Sequence, residues 1–350
     1  MKNMWWKFIG AALILYSIIG GMIIPLKPGL VNIVPSSITT GQKVDFLVFG
    51  YNTDFEKAEG LTAWLKADSI KSIQAINVVP QSATDLMVTF IIPNDMPAST
   101  SFHPLSVVVN SKTDGISVLP GQVALQKGQT DSLITTNWEE MNALHRVVGF
   151  NFPYRNILVE SIRNTYYHIP LWFAMAMIFM VAVVFSILNL WKPSVKYDSY
   201  AVGYTEVGVL LGILGTVTGA IWAKHTWGQY WSWDIKQNMS AIAIMVYLAY
   251  FVLRGSFEDR EKSARISAVY NIFAFASLIP LLVVIPRLTE SLHPGNGGNP
   301  GMGGEDLDNT MKYFLYPAFI GWFLFSMWMS NLRSRFLILK DKMMLRFNKL

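Results

Sequence analysis

The segment from residue 222 to residue 238, WAKHTWGQYWSWDIKQN, has residue types that suit the binding of a large planar ligand. Indole rings offer flat apolar surface, and lysine or arginine side chains pair with carboxylates. We interpret the tryptophans of this segment as a platform for such a ligand, with Asp234 beside them and cations near its acidic groups. The tryptophans are Trp222, Trp227, Trp231 and Trp233, and the cations are Lys224, Lys236 and Arg287.

Haem has this shape, with an apolar tetrapyrrole and propionates along one edge. Its iron also needs axial ligands, and imidazole is the obvious candidate because the chain contains no cysteine. Without cysteine there is also no CxxCH motif for the attachment of c-type haem. Any haem would therefore be held without thioether bonds, as non-covalent and transient haem b.

Two histidines form the candidate axial pair. His168, in YYHIP, and His293, in ESLHPGN, are predicted to stand at matching depths on either side of the tryptophan segment. His225 lies inside the segment and either steers haem or satisfies a local hydrogen bond, whereas His103 and His145 are expected to have no ligand role. Tryptophan is enriched at membrane interfaces in general, so an aromatic belt is the alternative interpretation of the segment.

The composition indicates a membrane protein, which must place these residues at one face of the bilayer. Of the 350 residues, 52% are hydrophobic and 15% are charged. A bilayer core about 30 Å thick takes roughly 20 apolar residues per helix. The chain contains six apolar runs of about that length, which predict an all-α bundle of six transmembrane helices. The runs are 8–26, 169–191, 202–222, 238–253, 266–286 and 313–331.

The basic residues predict that both termini are cytoplasmic. Fourteen lysines and arginines of the short connections and the tail fall on the side of the termini, and four fall on the other side. The tryptophan segment and all the histidines then lie on the outer side of the bacterial inner membrane. Because the basic excess lies beside apolar runs, it indicates membrane orientation and not a nucleic-acid partner.

The first apolar run could instead be a signal peptide. However, it is long for that role, and the following IPLKPG lacks a small-x-small cleavage site. Residues 1–26 are therefore predicted to be an uncleaved transmembrane anchor.

Residues 27–128 have the pattern of an extracytoplasmic β-sandwich inserted between the first two helices. Runs rich in valine, isoleucine and phenylalanine, such as KVDFLVFGY, SIQAINVV and LMVTFII, are separated by proline, glycine, asparagine and aspartate. The opening IVPSSITTGQKVDFLVFGYN resembles an IPT/TIG-type immunoglobulin-like module. We expect this domain to be a spacer or docking module, with a binding role as the alternative.

Residues 129–168 have a helical pattern of apolar residues. This pattern predicts an amphipathic helical connection that lies at the outer membrane surface and leads into the second span. The residues expected on its apolar face are Trp138, Met141, Leu144 and Val148.

The motif WGQYWSWD, residues 227–234, resembles the tryptophan-rich WWD signature of the haem-handling proteins of cytochrome c maturation. The neighbouring TGAIWAK, IRNTYYHIP and LTESLHP resemble the CcmC family in particular, and the likeness covers roughly residues 150–333. The resemblance implies a membrane domain, 169–333, that holds haem for transfer to the haem chaperone CcmE, beside other membrane subunits of cytochrome c maturation. It implies that His168 and His293 are the axial ligands. It also implies a WWD core of Trp227, Trp231, Trp233 and Asp234.

The resemblance implies haem delivery and not an enzyme, but alternatives stay open. A CcmC protein has a short first loop where this chain has about 140 residues. The motif YWSWD is also closer to the form of this motif in the related haem lyases CcmF and CcsA. A CcsA-like lyase is therefore the first alternative. A permease is less favoured, because the sequence shows neither paired intramembrane charges nor a broken helix.

Two segments near the end of the chain carry predictions of their own. The glycine-rich stretch 293–309 is either a lid over haem or a flexible linker. The basic tail 334–350 is predicted to be cytoplasmic.

Overall fold

The chain divides into two compact units in the computed structural model. The helical unit comprises Met1–Ile23 and Ser161–Leu350, and the β unit comprises Ile24–Glu160. The β unit follows the first helix and extends beyond the range 27–128 that the strand pattern indicates. The structure describes residues 4–98, 100–128, 136–141, 144–145, 149–293 and 307–347.

Nine strands form two sheets in the described part of the β unit. They are β1 (Gly29–Val34), β2 (Ser37–Thr39), β3 (Lys43–Tyr51), β4 (Thr62–Lys66), β5 (Ser72–Gln74), β6 (Asn77–Pro80), β7 (Asp85–Ile91), β8 (Phe102–Ser111) and β9 (Gly115–Gln126). The four-stranded sheet has the order β1-β3-β7-β6, and the five-stranded sheet has the order β2-β9-β8-β4-β5. Strands β2 and β9 are parallel, and the other neighbours are antiparallel.

The two sheets share one hydrophobic core. Because side chains alternate along a strand, β3 places Phe46 and Val48 in this core, and β7 contributes Phe90. The rings of Phe46 and Phe90 meet edge to face with their centroids 5.7 Å apart. Trp138 packs against the same core from outside the strands, and its indole donates to the carbonyl oxygen of Asp95 at 3.2 Å. The immunoglobulin-like identity of this pair of sheets stays a prediction.

The predicted amphipathic helices over 129–168 are wrong for the described residues from 136 to 158, whereas residues 159–168 are helical. The described residues between 136 and 158 contain no helix, and a 3-10 helix, Val159–Asn164, then leads into the second long helix. The segment instead pairs with the β unit, because Glu139 exchanges two backbone hydrogen bonds with Ser72, at 2.7 and 2.8 Å. The backbone N–H and carbonyl groups of Glu139 are thus used at the edge of a sheet and not in a helix.

Seven α-helices form the described part of the helical unit. They are α1 (Trp5–Ile23), α2 (Thr165–Trp191), α3 (Val195–Trp227), α4 (Ile235–Gly255), α5 (Arg260–Ile279), α6 (Ile285–Leu288) and α7 (Asn309–Phe347). A π-helix, Pro280–Val284, joins α5 to α6. Proline lacks a backbone N–H, so Pro280 and Pro286 interrupt the regular hydrogen bonding of this run.

Five helical runs are long and apolar enough to cross a membrane. They are α1, α2 with its preceding 3-10 helix, α3, α4 and the run from α5 to α6. Helix α7 is not among them, although it has 39 residues, because its apolar part also contains tyrosine, tryptophan and proline, which lower the mean hydropathy. The described chain therefore contains helices suited to spanning a membrane, and the count of six stays a prediction.

Glycines let α2 and α3 approach each other closely. A Cβ atom on Gly208 would lie 2.4 Å from the ring of Phe179, and one on Gly215 would lie 2.8 Å from the indole nitrogen of Trp172. Phe179 in turn stacks on Tyr247 of α4, with their centroids 3.6 Å apart. This packing fixes α2, which carries His168, against α3, which carries the start of the tryptophan segment.

Among the ion pairs between helices, two are bidentate and lie at the end of the bundle away from the tryptophan segment. Arg254 donates to both carboxylate oxygens of Asp198, at 2.8 and 2.6 Å, and Arg333 donates to those of Glu206, at 2.5 and 2.9 Å. Asp198, Arg254 and Arg333 lie just outside the predicted apolar runs 202–222, 238–253 and 313–331, so the expectation of no paired charges within the membrane stays a prediction. The partners are far apart in sequence, so spacing along the chain could not reveal them.

Candidate functional site

The tryptophan loop, residues 228–233, connects α3 to α4 and is fixed at both ends. Gly228 ends α3 with a left-handed φ of 80°, and its N–H donates to the carbonyl oxygen of Lys224 at 3.1 Å. Glycine adopts this conformation without a Cβ clash. Asp234 caps α4, because its side chain accepts the backbone N–H of Lys236 at 2.9 Å. The loop therefore begins and ends at defined positions.

His168 lies in the first turn of α2 and is hydrogen-bonded to α3. Its Nδ1 atom lies 3.0 Å from the carbonyl oxygen of Gly215 and 3.2 Å from Oγ1 of Thr218. A carbonyl oxygen can only accept, so Nδ1 carries the proton and Nε2 keeps its lone pair. Gly219 permits this arrangement, because a Cβ atom there would lie 2.7 Å from Cε1 of His168.

His293 follows α6 and is hydrogen-bonded to Asp234. Its Nδ1 atom lies 2.8 Å from Oδ1 of Asp234, whose carboxylate also accepts the hydroxyl of Ser291 at 3.1 Å and the N–H of Leu292 at 2.8 Å. The Asp234 side chain is 2% exposed and that of His293 is 18% exposed. Here too Nδ1 donates and Nε2 keeps its lone pair. A carboxylate that accepts the Nδ1 proton in this way commonly orients a metal-binding histidine.

The pKa shifts of this pair favour a carboxylate beside a neutral imidazole. Burial raises the pKa of the Asp234 carboxyl, but hydrogen bonds from Leu292, Ser291 and Lys236 outweigh burial, so its pKa lies below the ordinary 3.8. Burial lowers the pKa of His293 below 6.5, and the attraction to Asp234 offsets only part of this effect. At neutral pH His293 is therefore uncharged, with its Nε2 lone pair retained.

His168 and His293 line the same cavity, which has a volume of about 240 Å³. The cavity lies at the end of the helical unit where α2, α3, α4 and α6 meet the tryptophan loop. It thus brings together the two histidines of the predicted pair, one predicted tryptophan and one predicted cation. Its apolar walls include Trp172, Trp231, Leu282 and Pro286, and its polar side includes Lys236 and Gln237.

The structure distributes the predicted tryptophans over three places. Trp222 and Trp227 meet edge to face, at 5.0 Å and 78°, and their rings lie 5.9 and 4.7 Å from the ring of His293. Trp231 lines the cavity, whereas the side chain of Trp233 is 78% exposed. Trp231 therefore lines the cavity, Trp222 and Trp227 lie beside His293, and Trp233 is exposed.

The predicted cations are also separated. Lys236 lines the cavity. Lys224 donates to the carbonyl oxygen of Gly228 at 2.9 Å, which closes the end of α3. Arg287 is exposed and lines a neighbouring open cleft beside Asp234. His225 is exposed in the last turn of α3 and is not among the described residues that line the cavity.

Three residues that build this site were missed by sequence reasoning. Trp172 lines the cavity beside His168, with the ring centroids 6.4 Å apart. The sequence signal was their separation of four positions, which places both on one face of a helix. Ser291 holds Asp234, and Gln237 holds the tryptophan loop, and neither interaction leaves a pattern in the sequence.

The remaining histidines lie in the β unit. Nε2 of His103 lies 3.3 Å from the carbonyl oxygen of Ala67, and Nδ1 of His145 lies 3.0 Å from the side-chain amide of Asn110. Both have local partners within that unit. The lid predicted over 293–309 falls mostly outside the described residues.

Comparison with known proteins identifies the family. Residues 141–348, more than half of the chain, match the family model of CcmC, heme exporter protein C. The chain is 26% identical over 183 residues to heme exporter protein C of Escherichia coli K12, which covers 51% of this chain and 71% of that relative. It is 23% identical over 189 residues to that of Paracoccus denitrificans, with 54% and 78% covered.

A second group of relatives matches a shorter part of the chain. The chain is 35% identical over 98 residues to the cytochrome c biogenesis protein CcsA of Prochlorococcus marinus, which covers 28% of this chain and 30% of that relative. The resemblance inferred from the WWD segment is confirmed by the family match: the chain belongs to the CcmC family of heme exporter proteins.

Proposed function

We propose that this chain binds haem in the cavity lined by His168 and His293 and presents it to the haem chaperone CcmE. Membership of the CcmC family gives the chain a haem-handling role in cytochrome c biogenesis. The proposal adds the axial ligands, the cargo as non-covalent haem b, and the partner that receives it. The chain acts as a delivery factor and supplies no nucleophile.

The hydrogen bonding of the two histidines is the observation that supports this proposal best. Each imidazole lines the cavity and donates through Nδ1 to an oxygen, that of Gly215 for His168 and that of Asp234 for His293. Both Nε2 atoms are then left as acceptors, the form in which imidazole ligates iron.

The walls of the cavity suit a tetrapyrrole with acidic edges. Trp172 and Trp231 provide aromatic surface, and Lys236 provides a cation that can pair with a propionate. The cavity is only partly enclosed, which suits a cargo that is collected and released better than a permanently buried cofactor.

We place the cavity on the outer side of the bacterial inner membrane. In this arrangement α7 is the sixth span, both termini are cytoplasmic, and the β unit is an extracytoplasmic accessory domain. The excess of basic residues on the side of the termini supports this orientation.

The proposal can be tested by absorption spectroscopy of the detergent-purified protein after co-expression with CcmE. We expect a bis-imidazole spectrum in the wild type that is lost or altered in His168→Ala and in His293→Ala. The matched control is His225→Ala, an exposed histidine that should leave the spectrum unchanged. A wild type without haem, or unchanged spectra in both ligand variants, would contradict the proposal.

A CcsA-like haem lyase is the second candidate, and the 35% identity to a CcsA protein over 98 residues favours it. Such an enzyme would form thioether bonds on an apocytochrome c without CcmE. Reconstitution with apocytochrome alone therefore separates the two functions, because a delivery factor would yield no covalent product.

The permease alternative is not strengthened by the ion pairs within the helices. Asp198 and Glu206 each accept two hydrogen bonds from their arginines and lie in the part of α3 remote from the cavity. They therefore join helices and are not among the described residues that line the cavity.

A further inference from the structure

We infer that Gln237 is a positioning residue that holds the tryptophan loop, and with it the Trp231 wall, against the haem cavity. This inference rests on the proposed haem site and concerns what keeps one wall of that site in place. Gln237 lies in the first turn of α4, three positions after the helix cap formed by Asp234.

Both polar atoms of the Gln237 side chain are bound to the loop. Its Oε1 accepts the backbone N–H of Ser232 at 2.9 Å and the hydroxyl of Ser232 at 3.1 Å, and its Nε2 donates to the carbonyl oxygen of Tyr230 at 3.3 Å. These contacts fall on the residues directly before and after Trp231. The amide therefore clamps the short stretch of backbone that carries this indole.

The clamp is buried, which increases the cost of breaking it. Gln237 is 7% exposed, and a buried polar group that loses its partner costs more free energy than an exposed one. The residue also lines the cavity, but its acceptor already binds two donors from Ser232. We therefore assign it an indirect role, exerted through Trp231, and not a contact with haem.

The loop needs such a clamp because its own backbone is irregular. The loop contains neither helix nor strand, and Trp233 has a left-handed φ of 59°. A residue with a Cβ atom holds this conformation only when its surroundings fix it. Asn238 supplies that support, because its Nδ2 donates to the carbonyl oxygen of Trp233 at 2.7 Å. Neighbouring amides of α4 thus fix the two halves of the loop.

The first test measures how fast haem leaves the purified, haem-loaded protein when apomyoglobin is present as the acceptor. Gln237→Leu keeps the size of the side chain and removes all its hydrogen bonds, so we expect about tenfold faster release. The haem that remains should keep its bis-imidazole spectrum, because neither histidine ligand depends on Gln237. Gln237→Glu keeps the acceptor and loses the donor, so it should give an intermediate rate.

Unchanged release from Gln237→Leu would overturn the inference, and so would loss of the bis-imidazole spectrum together with the faster release. A wild type that binds no haem would instead overturn the proposed function, so the two failures can be told apart.

The haem-free protein offers a second test. The chain has no cysteine, so Gln229→Cys places a single spin label on the exposed part of the loop. We expect Gln237→Leu to increase the mobility of this label and to leave unchanged a control label at Lys192→Cys, beyond the far end of α2. Unchanged mobility at position 229, or an equal change at both positions, would overturn the inference.

Discussion

Oδ1 of Asp234 accepts a hydrogen bond from Nδ1 of His293 at 2.8 Å, and the same oxygen caps the first turn of α4 by accepting the N–H of Lys236 at 2.9 Å. One carboxylate therefore ties the end of the tryptophan loop to a histidine 59 positions further along the chain. In this arrangement Asp234 sets the orientation and the tautomer of His293.

Asp234→Asn should weaken haem binding without unfolding the protein. Asparagine is as good a helix cap as aspartate, but it lacks the charge and one of the acceptor oxygens that hold His293 and Leu292. Loss of such a partner to a metal-binding histidine typically costs about 10- to 100-fold in affinity. Haem titration and thermal unfolding of the purified variant would check this, and wild-type affinity would rule out the orienting role.

The contribution of Asp234 to folding stability can be separated from its contribution to haem affinity. Asp234→Ala removes the cap as well, which costs about 1 kcal/mol of folding free energy. This variant should therefore unfold at a lower temperature than Asp234→Asn, while both lose affinity for haem.

Gly219→Ala should displace His168. The added Cβ atom would lie 2.7 Å from Cε1 of the imidazole, which is too close for any real contact. We expect an altered bis-imidazole spectrum and at least about tenfold weaker haem binding, by analogy with the loss of a residue that orients a ligand. Gly255→Ala is the matched control, because a Cβ atom there meets nothing within 4 Å. Equal behaviour of the two variants would argue against the close approach.

The stability of the haem-free protein should fall as the pH drops below 6.5, the ordinary pKa of histidine. Burial, partly offset by Asp234, lowers the pKa of His293 in the folded state. Between that lowered pKa and 6.5 the unfolded chain binds a proton that the folded chain does not, so acidification favours unfolding. The lowered pKa of Asp234 acts in the same direction, but only below 3.8.

The measurement compares wild type with His293→Gln. The drop in unfolding temperature between about pH 7.5 and about pH 5.5 should be smaller in the variant, since its side chain does not titrate. Equal drops in both proteins would show that His293 titrates alike in the folded and unfolded states.

Strands whose side chains alternate regularly between apolar and polar could be predicted from the sequence. The point at which the chain passes from one sheet to the other could not. The run KVDFLVFGY coincides with β3, Lys43–Tyr51. The run SIQAINVV is divided between β5 and β6, which belong to different sheets. Ala75 donates its N–H to Ala63 of one sheet, and Ile76 donates to Thr89 of the other. Both halves mix apolar and polar residues, so nothing in the residue types marks this change of partner.

For the candidate site, the two histidines could be predicted from the sequence, but the residues that hold them and the tryptophan loop in place could not. A motif and a matching depth in the membrane indicated His168 and His293, which line one cavity. The roles of Gly219, Gln237 and Ser291 depend on contacts between side chains and the backbone of other elements. Such contacts require no particular spacing, so they could be found only in three dimensions.

The position of α7 can be tested because the chain has no cysteine. Single cysteines at Met4 and at Lys342 would be labelled with a membrane-impermeant maleimide in intact cells and in inverted membrane vesicles. If α7 is the sixth span, both positions should react only in the inverted vesicles, because an even number of spans returns the chain to the cytoplasm. Labelling of the two positions from opposite sides would show that α7 does not cross the membrane.

Removal of the β unit should leave haem binding intact, because every described residue that lines the cavity belongs to the helical unit. The ends of the β unit lie side by side: Lys27 donates its N–H to Phe152 at 2.8 Å, and Phe152 donates to Pro25 at 3.0 Å. A short glycine-serine linker can therefore replace residues 27–151. A deletion of 30–128 would instead leave Trp138 without the core on which it packs.

We expect the shortened protein to retain the haem content and the bis-imidazole spectrum of the full chain. The matched control combines the deletion with His293→Ala and should lose that spectrum, because the ligand is removed while the rest of the helical unit is unchanged. If the deletion alone abolishes haem binding in a protein that still elutes as a single species, the β unit takes part in forming the haem site.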